Sequence, residues 1–274
     1  INGNGGGNNE LQYYTDNAAN VSTANGNLQI TARQENYMGA NYTSGRIHTR
    51  YKVGFKYGRI EARIKMPYGR GIWPAFWMLP TEGNWPIYDE IDIMELLGHQ
   101  PNKTYATIHG SDTNNQHVQS GVNYTLPTGS FADNYHLYAL EWNANSLSFY
   151  VDEMLIGTKN KTDLPTWQWN FDKEFYLLLN VAVGGNWPGS PDATTVFPQT
   201  MLVDYVRVYQ QLPDMAITGQ DRLEPYQQNK TYSFPFIAGA NYTWSVPTGA
   251  TIVNGQNSNQ ISVNWGNEAS SGNI

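Results

Sequence analysis

The 274-residue sequence contains no cysteine, which excludes disulfides and thiolate metal sites; by itself that absence does not report the redox compartment. Charge is scarce as well. Charged residues make up 14% of the chain, against ~25% in ordinary soluble domains. With a net charge of -7 and no basic run, the electrostatic footprint of a nucleic-acid binder is missing. The same acidic balance argues against anionic polymers as preferred ligands. No stretch approaches the ~18 apolar residues of a membrane span, and no convincing amphipathic helix is found. The first residue is Ile1, running straight into INGNGGGNNE with no Met. That start reads as a mature fragment, so the lack of a visible signal peptide carries no information.

Aromatic residues, by contrast, reach 14%, with 19 Tyr and 9 Trp. Both side chains pair a flat apolar face with a polar edge, which suits stacking on sugar rings and equally suits a β-sheet core; composition alone favours the core. Strand signals dominate the first two hundred residues. RIEARIKM (Arg59 to Met66) alternates strictly and predicts a half-buried strand with one solvated side. LSFYVDEMLIGT (Leu147 to Thr158) predicts a hairpin turning at Asp152 and Glu153. FYLLLNVAVGG (Phe175 to Gly185) is almost continuously apolar, as a strand covered on both faces would be. ANGN (Ala24 to Asn27) and PTGS (Pro127 to Ser130) are turn signals. Short strands separated by Gly and Pro predict an all-β sandwich or barrel.

The character of the chain changes after VDYVRVYQQ (Val203 to Gln211). The expected organisation is one large β domain over 1–211, a linker over 212–221 and a small β unit over 222–274. The last is rich in Asn, Thr, Ser and Gly, with β segments at Tyr242 to Val246 and Ile261 to Trp265. At about 60 residues it is small for a self-sufficient sandwich.

The informative segment is DEIDIMELLG, Asp89 to Gly98. Four acidic residues sit inside an apolar run, where burying an unpaired carboxylate costs several kcal/mol. A half-exposed polar strand face or a calcium site would also explain them. In a regular strand, side chains at i, i+2 and i+4 share a face, so Glu90 and Asp92 point together while Glu95 points away. One extra residue, inserted as a β-bulge at Ile93 or Met94, would bring Glu95 back. Four effective steps of about 3.3 Å then separate the two Glu backbones by about 13 Å. Side chains leaning together leave about 5–7 Å between carboxyls, which overlaps both the ~5–5.5 Å of retaining and the ~6.5–9.5 Å of inverting glycosidases.

EIDIME resembles the catalytic signature of glycoside hydrolase family 16 in its bulged form, E-x-D-x-x-E. The resemblance runs from Asn8 to Tyr209. It takes in NNELQYYT, YGRIEARIKMPYGRGIWPAFWMLP, ATIHG, NVAVGGNWPG and VDYVRVY, all similar to laminarinase-type members. It implies an antiparallel β-sandwich jelly roll of the concanavalin A-like kind with a concave substrate cleft. The implied reaction is retaining endo-hydrolysis of β-1,3-glucan, with no cofactor for catalysis. Glu90 matches the nucleophile and Glu95 the general acid/base. Asp92 matches the partner that helps keep the two carboxyls in different protonation states. His109, on the following strand, would point toward the same cluster, although a lone His is as often structural. The pattern YTWSVPTGATI…GQ…ISVNWG in the last sixty residues resembles PKD-like, immunoglobulin-type modules of bacterial secreted enzymes. An extracellular, monomeric enzyme acting on a polysaccharide is therefore expected.

Trp73 and Trp77 are four residues apart and share a face of a regular strand. Trp77 matches the family's stacking platform, with Trp73 a second wall. Trp187, in a turn after a buried strand, would be poorly shielded without a ligand and is read as a sugar contact. Asn41, Arg46 and Arg50 match positions lining the donor side, where the fork of Arg donors can hold hydroxyls. Asn8, Asn9 and Glu10 could fall near the cleft or simply form a turn, and are left out of the site. Asp204 and the Gly26 carbonyl match ligands of a structural calcium that takes no part in cleavage, a cation that wants six to eight oxygens. Two departures stand out. The Gly-Trp-Gly that usually precedes NNELQYYT is here Gly5-Gly6-Gly7, and the N-terminal strand before it is missing, which would leave an unpaired sheet edge. Other bulged members act on mixed-linkage glucan, agar or carrageenan, and non-catalytic glucan-binding relatives lose the carboxylates. Both remain alternatives.

Overall fold

A computed structural model describes residues 7–83, 89–210, 215–220, 225–237 and 240–267. Gly5, Gly6 and the linker positions 212–214 and 221 lie outside these. The chain divides into two compact units, Ile1–Gln210 and Gln211–Ile274.

The first unit is built from fifteen strands among the described residues: β1 (Gln12–Tyr14), β2 (Val21–Ala24), β3 (Asn27–Tyr37), β4 (Ala40–Ser44), β5 (Arg46–His48), β6 (Gly58–Lys65), β7 (Ile72–Pro80), β8 (Glu90–Leu96), β9 (Lys103–Ser111), β10 (His117–Thr125), β11 (His136–Trp142), β12 (Ser146–Val151), β13 (Met154–Asn160), β14 (Phe175–Val183) and β15 (Gln199–Tyr209). They form two layers. The larger sheet runs β1-β4-β3-β15-β6-β11-β12-β13 with β2 paired to β3, and the smaller runs β10-β9-β8-β7-β14-β5. All pairs are antiparallel except β1 with β4, which is parallel. A single turn of 3-10 helix (Lys161–Asp163) is the only helical element among the described residues, and no helix there is long and apolar enough to cross a membrane.

Alternation builds the core between the sheets. Ile60, Ala62 and Ile64 of β6 meet Ile91 and Met94 of β8, Phe76 and Met78 of β7, and Leu177, Leu179 and Val181 of β14. Every residue of β14 is buried, because its other face is covered too, as its unbroken apolar run predicted. The β12–β13 hairpin turns at Asp152 and Glu153, both with positive φ, the arrangement whose twist suits a two-residue loop. The ANGN turn joins β2 to β3 in the same way, with Asn25 and Gly26 at positive φ.

The polar side of β6 differs from its expected solvated state. Glu61 is buried, since β6 lies between β15 and β11 and long side chains close over it. Arg59 reaches Glu61 at 2.9 Å, Glu141 at 3.1 Å and Glu153 at 2.8 Å, so the carboxylate is taken from water only in company with a guanidinium.

The second unit has β16 (Lys230–Ser233), β17 (Ala250–Asn254) and β18 (Gln260–Trp265) in a three-stranded sheet ordered β16-β18-β17. Its core is Tyr232, Trp244, Ile261, Val263 and Trp265. The segment Tyr242 to Val246, expected as a strand, joins no ladder. It is held by side chains instead: the Trp244 indole donates to the Ser258 carbonyl at 2.8 Å, and Gln256 donates to the Trp244 carbonyl.

Candidate active site

The smaller sheet carries a cleft of about 830 Å³ on the face away from the core. Its centre is β8. Asp92 stands opposite Thr107 of β9 and Glu95 opposite Tyr105, three residues against two, so the strand holds one extra residue between them. Against β7, Met94 pairs with Phe76 and Asp92 with Trp77, which identifies Ile93 as the insertion. The bulge lets Ile93 and Met94, consecutive residues, both enter the core. Alternation then resumes one position late, and Glu90, Asp92 and Glu95 all line the cleft.

Burial governs the electrostatics of this cluster. It pushes the Glu90 carboxyl up to about 8, with the neighbouring Asp92 charge adding to the rise and His109 and Arg46 opposing it. Burial raises Asp92 to about 7, and its hydrogen bond with Glu90 pulls the other way. Glu95 is driven well above its ordinary value, first by burial and then by the charges of both Asp92 and Glu90. Among the described residues its aligned side-chain donor is the Trp73 indole, whose Nε1 lies 3.0 Å from Oε1. Three carboxyls in one dry groove cannot all ionise, and the last to lose its proton is the one that feels both others. That is Glu95. The cluster thus keeps its last proton on Glu95, as the group that is to act as acid requires.

Around it the expected aromatics stand as walls. Trp73, Trp77 and Trp187 all line the cleft. Trp187 remains 41% exposed and meets Trp73 and Tyr105 edge-on, with ring centroids 5.6 and 4.9 Å apart. Trp77 is anchored through Nε1 to Oδ1 of Asn180 at 2.8 Å. The Arg46 guanidinium lies 4.7 Å from its ring centroid. His109 faces Asp92, its Nε2 3.0 Å from Oδ2.

Asn41 and Arg50 are not brought to the cleft. Asn41 is exposed on β4 of the larger sheet, where its neighbour Tyr42 takes the position packed against the core and alternation turns Asn41 outward. Arg50 follows the end of β5, and the turn there carries it onto Tyr51 and Tyr176, 5.0 and 5.5 Å from their ring centroids.

Several cleft residues were not anticipated. Asn8 and Glu10, left out of the site with the cleft or a turn both open, line it, and Glu10 accepts from Gln12 at 2.7 Å. Asn180 and Tyr14 complete the Trp77 anchor, with Asn180 Nδ2 donating to the Tyr14 hydroxyl at 3.2 Å. On β9 and β10, Tyr105, Thr107, His117, Gln119 and Asn123 also line it. Period two counted from His109 would have found the first two. Nothing in the sequence set the β9–β10 register that finds the others.

The proposed calcium ligands lie on the other sheet. Asp204 follows Val203, which pairs with Leu28, so it reaches the turn that holds Gly26. Its Oδ2 is 2.6 Å from Nη1 of Arg63. One carboxylate already engaged by a guanidinium, plus one carbonyl, falls short of the oxygen set a hard cation needs. No group of three or more acidic, His or Cys side chains suited to a metal occurs among the described residues.

A long groove on a β-sandwich, with paired carboxyls at its floor and indoles at its walls, defines a polysaccharide hydrolase. The chain belongs to the glycosyl hydrolases family 16, whose family model matches residues 8–207, and a PKD-like domain model matches residues 210–274. It is 42% identical over 225 residues to a beta-glucanase of Rhodothermus marinus, covering 76% of this chain and 77% of that protein. It is 40% identical over 231 residues to glucan endo-1,3-beta-glucosidase A1 of Niallia circulans, covering 76% of this chain and 33% of that longer protein. Among solved structures, the laminarinase catalytic domain of Thermotoga maritima superposes with a TM-score of 0.71 at 44% identity, covering 78% of this chain and 91% of that one.

Proposed function

We propose that this protein is a secreted endo-hydrolase of β-1,3-glucan that works by double displacement with retention. The observation that carries the reading is the insertion at Ile93, which turns Glu90, Asp92 and Glu95 onto one face of the indole-walled cleft. In the first step a Glu90 oxygen attacks the anomeric carbon while Glu95 gives its proton to the departing glycosidic oxygen. The glycosyl ester forms as the glycosidic bond breaks. In the second, Glu95, now anionic, takes a proton from water, whose oxygen attacks the same carbon and releases Glu90. Asp92 holds charge beside Glu90 and so keeps the proton on Glu95. Trp77 and Trp187 supply stacking surface for a neutral sugar chain, which the net charge of -7 also favours over sulfated galactans.

A panel of laminarin, barley mixed-linkage glucan and agarose tests the substrate. Laminarin should be cleaved fastest, and activity on agarose without activity on laminarin overturns the reading. Proton NMR of the first product should show the β anomer; initial α anomer refutes retention. Glu90→Ser should remove hydrolysis and leave laminarin binding largely intact. Wild-type protein that binds laminarin yet releases no reducing ends would mark a binding protein instead.

A further inference from the structure

Tyr51 stands almost free of the protein, 89% exposed, at a backbone position that suits a tyrosine poorly. It follows Arg50 in the turn that Lys52 closes by donating its N–H to the Thr49 carbonyl at 3.0 Å. Its φ is 66°, a left-handed value that Gly or Asn reaches more easily at the third position of a turn. Burial does little for this side chain, and its backbone is strained, so the ring is there for what it can touch from outside. The ring is also held. The Arg50 guanidinium lies over it, 5.0 Å from the centroid, and over Tyr176, 5.5 Å from that centroid. Tyr176 is buried, so the guanidinium ties the exposed ring to one anchored in the sheet.

This surface continues the cleft. Tyr176 pairs with Leu79 of β7, which lines the cleft. It also shares a face of β14 with Asn180, another lining residue. Burial raises the Tyr176 phenol in pKa; the charges of Arg50 and Arg46 oppose the rise, and those of Tyr51 and Glu90 add to it. Tyr176 thus stands within electrostatic reach of both Glu90 and Tyr51. The smaller sheet ends at β5, three strand spacings from β8, which is about 14 Å. A polymer lying across the sheet from Glu90 toward β5 meets Tyr51 several sugar units from the bond that breaks.

We propose that Tyr51 is a remote stacking platform for the glucan chain, outside the cleft and past the end of β5, on which a sugar ring far from the scissile bond rests. The occupant is the substrate itself, because the surface runs on from the cleft. It offers what a neutral sugar takes, a flat aromatic face with a hydroxyl at its edge. The proposal rests on the glycosidase reading above and lengthens its substrate path. Arg50 is a positioning residue here: it holds the ring and touches no sugar.

Tyr51→Gly removes the ring and eases the backbone, so the variant should melt close to wild type. Laminaritriose is too short to reach from the scissile bond to Tyr51 and serves as the reference. In the Gly variant, kcat/KM on laminarin divided by kcat/KM on laminaritriose should fall by about threefold to tenfold, the range of one lost stacking contact. Tyr51→Trp, which keeps a flat ring, should hold the wild-type ratio. A ratio unmoved in the Gly variant, an equal fall on both substrates, or a Trp variant as poor as the Gly one overturns the proposal. A melting temperature that drops along with both rates marks a structural ring and overturns it as well. Calorimetry gives a readout without turnover: laminarin binding to Glu90→Ser should weaken by about threefold to tenfold when Tyr51→Gly is added. Binding of equal strength in the two proteins also sinks the platform. If wild type cleaves neither substrate, the glycosidase reading fails and the binding pair alone decides the platform; if it cleaves both with the ratio unmoved, only the platform fails.

Discussion

Trp73 serves the cluster twice. Its ring forms cleft wall beside Trp187, and its Nε1 gives Glu95 the one donor that lowers its pKa directly through a side chain. Trp73→Phe keeps most of the wall and removes that donor. The Glu95 carboxylate is then less stabilised, so its pKa rises further. The alkaline limb of kcat/KM, set by loss of the acid's proton, should move to higher pH. Catalysis below that limb should fall by about tenfold, through loss of the hydrogen bond that orients the carboxyl. A pH–rate profile on laminarin reads both. Among single residues, legibility divides by chemistry. Carboxylates in an apolar run are costly to bury, so Glu90, Asp92 and Glu95 stood out. Polar residues on exposed strands are the common state of a sheet, so Gln119, Asn123 and His117 did not.

β8 is the element whose irregularity makes the site. Deleting Ile93 leaves Glu95 four positions from Glu90, and since i, i+2 and i+4 share a face of a straight strand, Glu90, Asp92 and Glu95 should still face the cleft. Activity on laminarin should persist, and stability should fall by about 2–5 kcal/mol from loss of the buried Ile93 side chain, measured by urea unfolding. Ile93→Val, which keeps the extra residue, should cost only about 1 kcal/mol with kcat retained. Asp89, the residue immediately before this strand, is wholly buried. Its Oδ2 accepts from the Asn170 backbone at 2.8 Å, while Oδ1 has no hydrogen-bond partner among the described residues. Burial raises its pKa from 3.8 to about 7, against the pull of the Asn170 hydrogen bonds. A folded-state pKa above the unfolded one means that this group's stabilising share is full below about pH 4 and lost as pH rises through about 7. Asp89→Asn mimics the neutral form at every pH. The variant should melt higher than wild type at pH 8, and the difference should vanish near pH 4. At this scale the hairpin at Asp152–Glu153, the apolar run of β14 and the alternation of β6 were readable, because each rests on local backbone preference. The burial of Glu61 was not, since it depends on which strands flank β6, β15 on one side and β11 on the other, both far along the chain.

The whole molecule has two cores, and each unit's core is made from its own residues. Ile261→Ala, in the core of the second unit, should cost that unit about 2–5 kcal/mol. Calorimetry should show its transition falling while kcat on laminarin stays unchanged. Any cation held near Asp204 lies on the larger sheet, whereas the cleft belongs to the smaller one. A chelator should therefore leave kcat unaltered, and a fall in initial rate on adding EDTA would count against a purely structural role.

The sequence by itself determined that this chain is a β-sandwich with a carboxylate cluster and indole walls. Strand periodicity, turn chemistry and the cost of burying charge all act within ten residues of one another. Tertiary structure alone decided what stands across from what. The register of β9 against β10 brings His117 to His109, and the packing of the first strand beside β4 brings Glu10 to the cleft. The turn after β5 carries Arg50 away from it. Those outcomes depend on contacts between segments distant in sequence, whose pairing is set by the closure of the core as a whole and by no local preference.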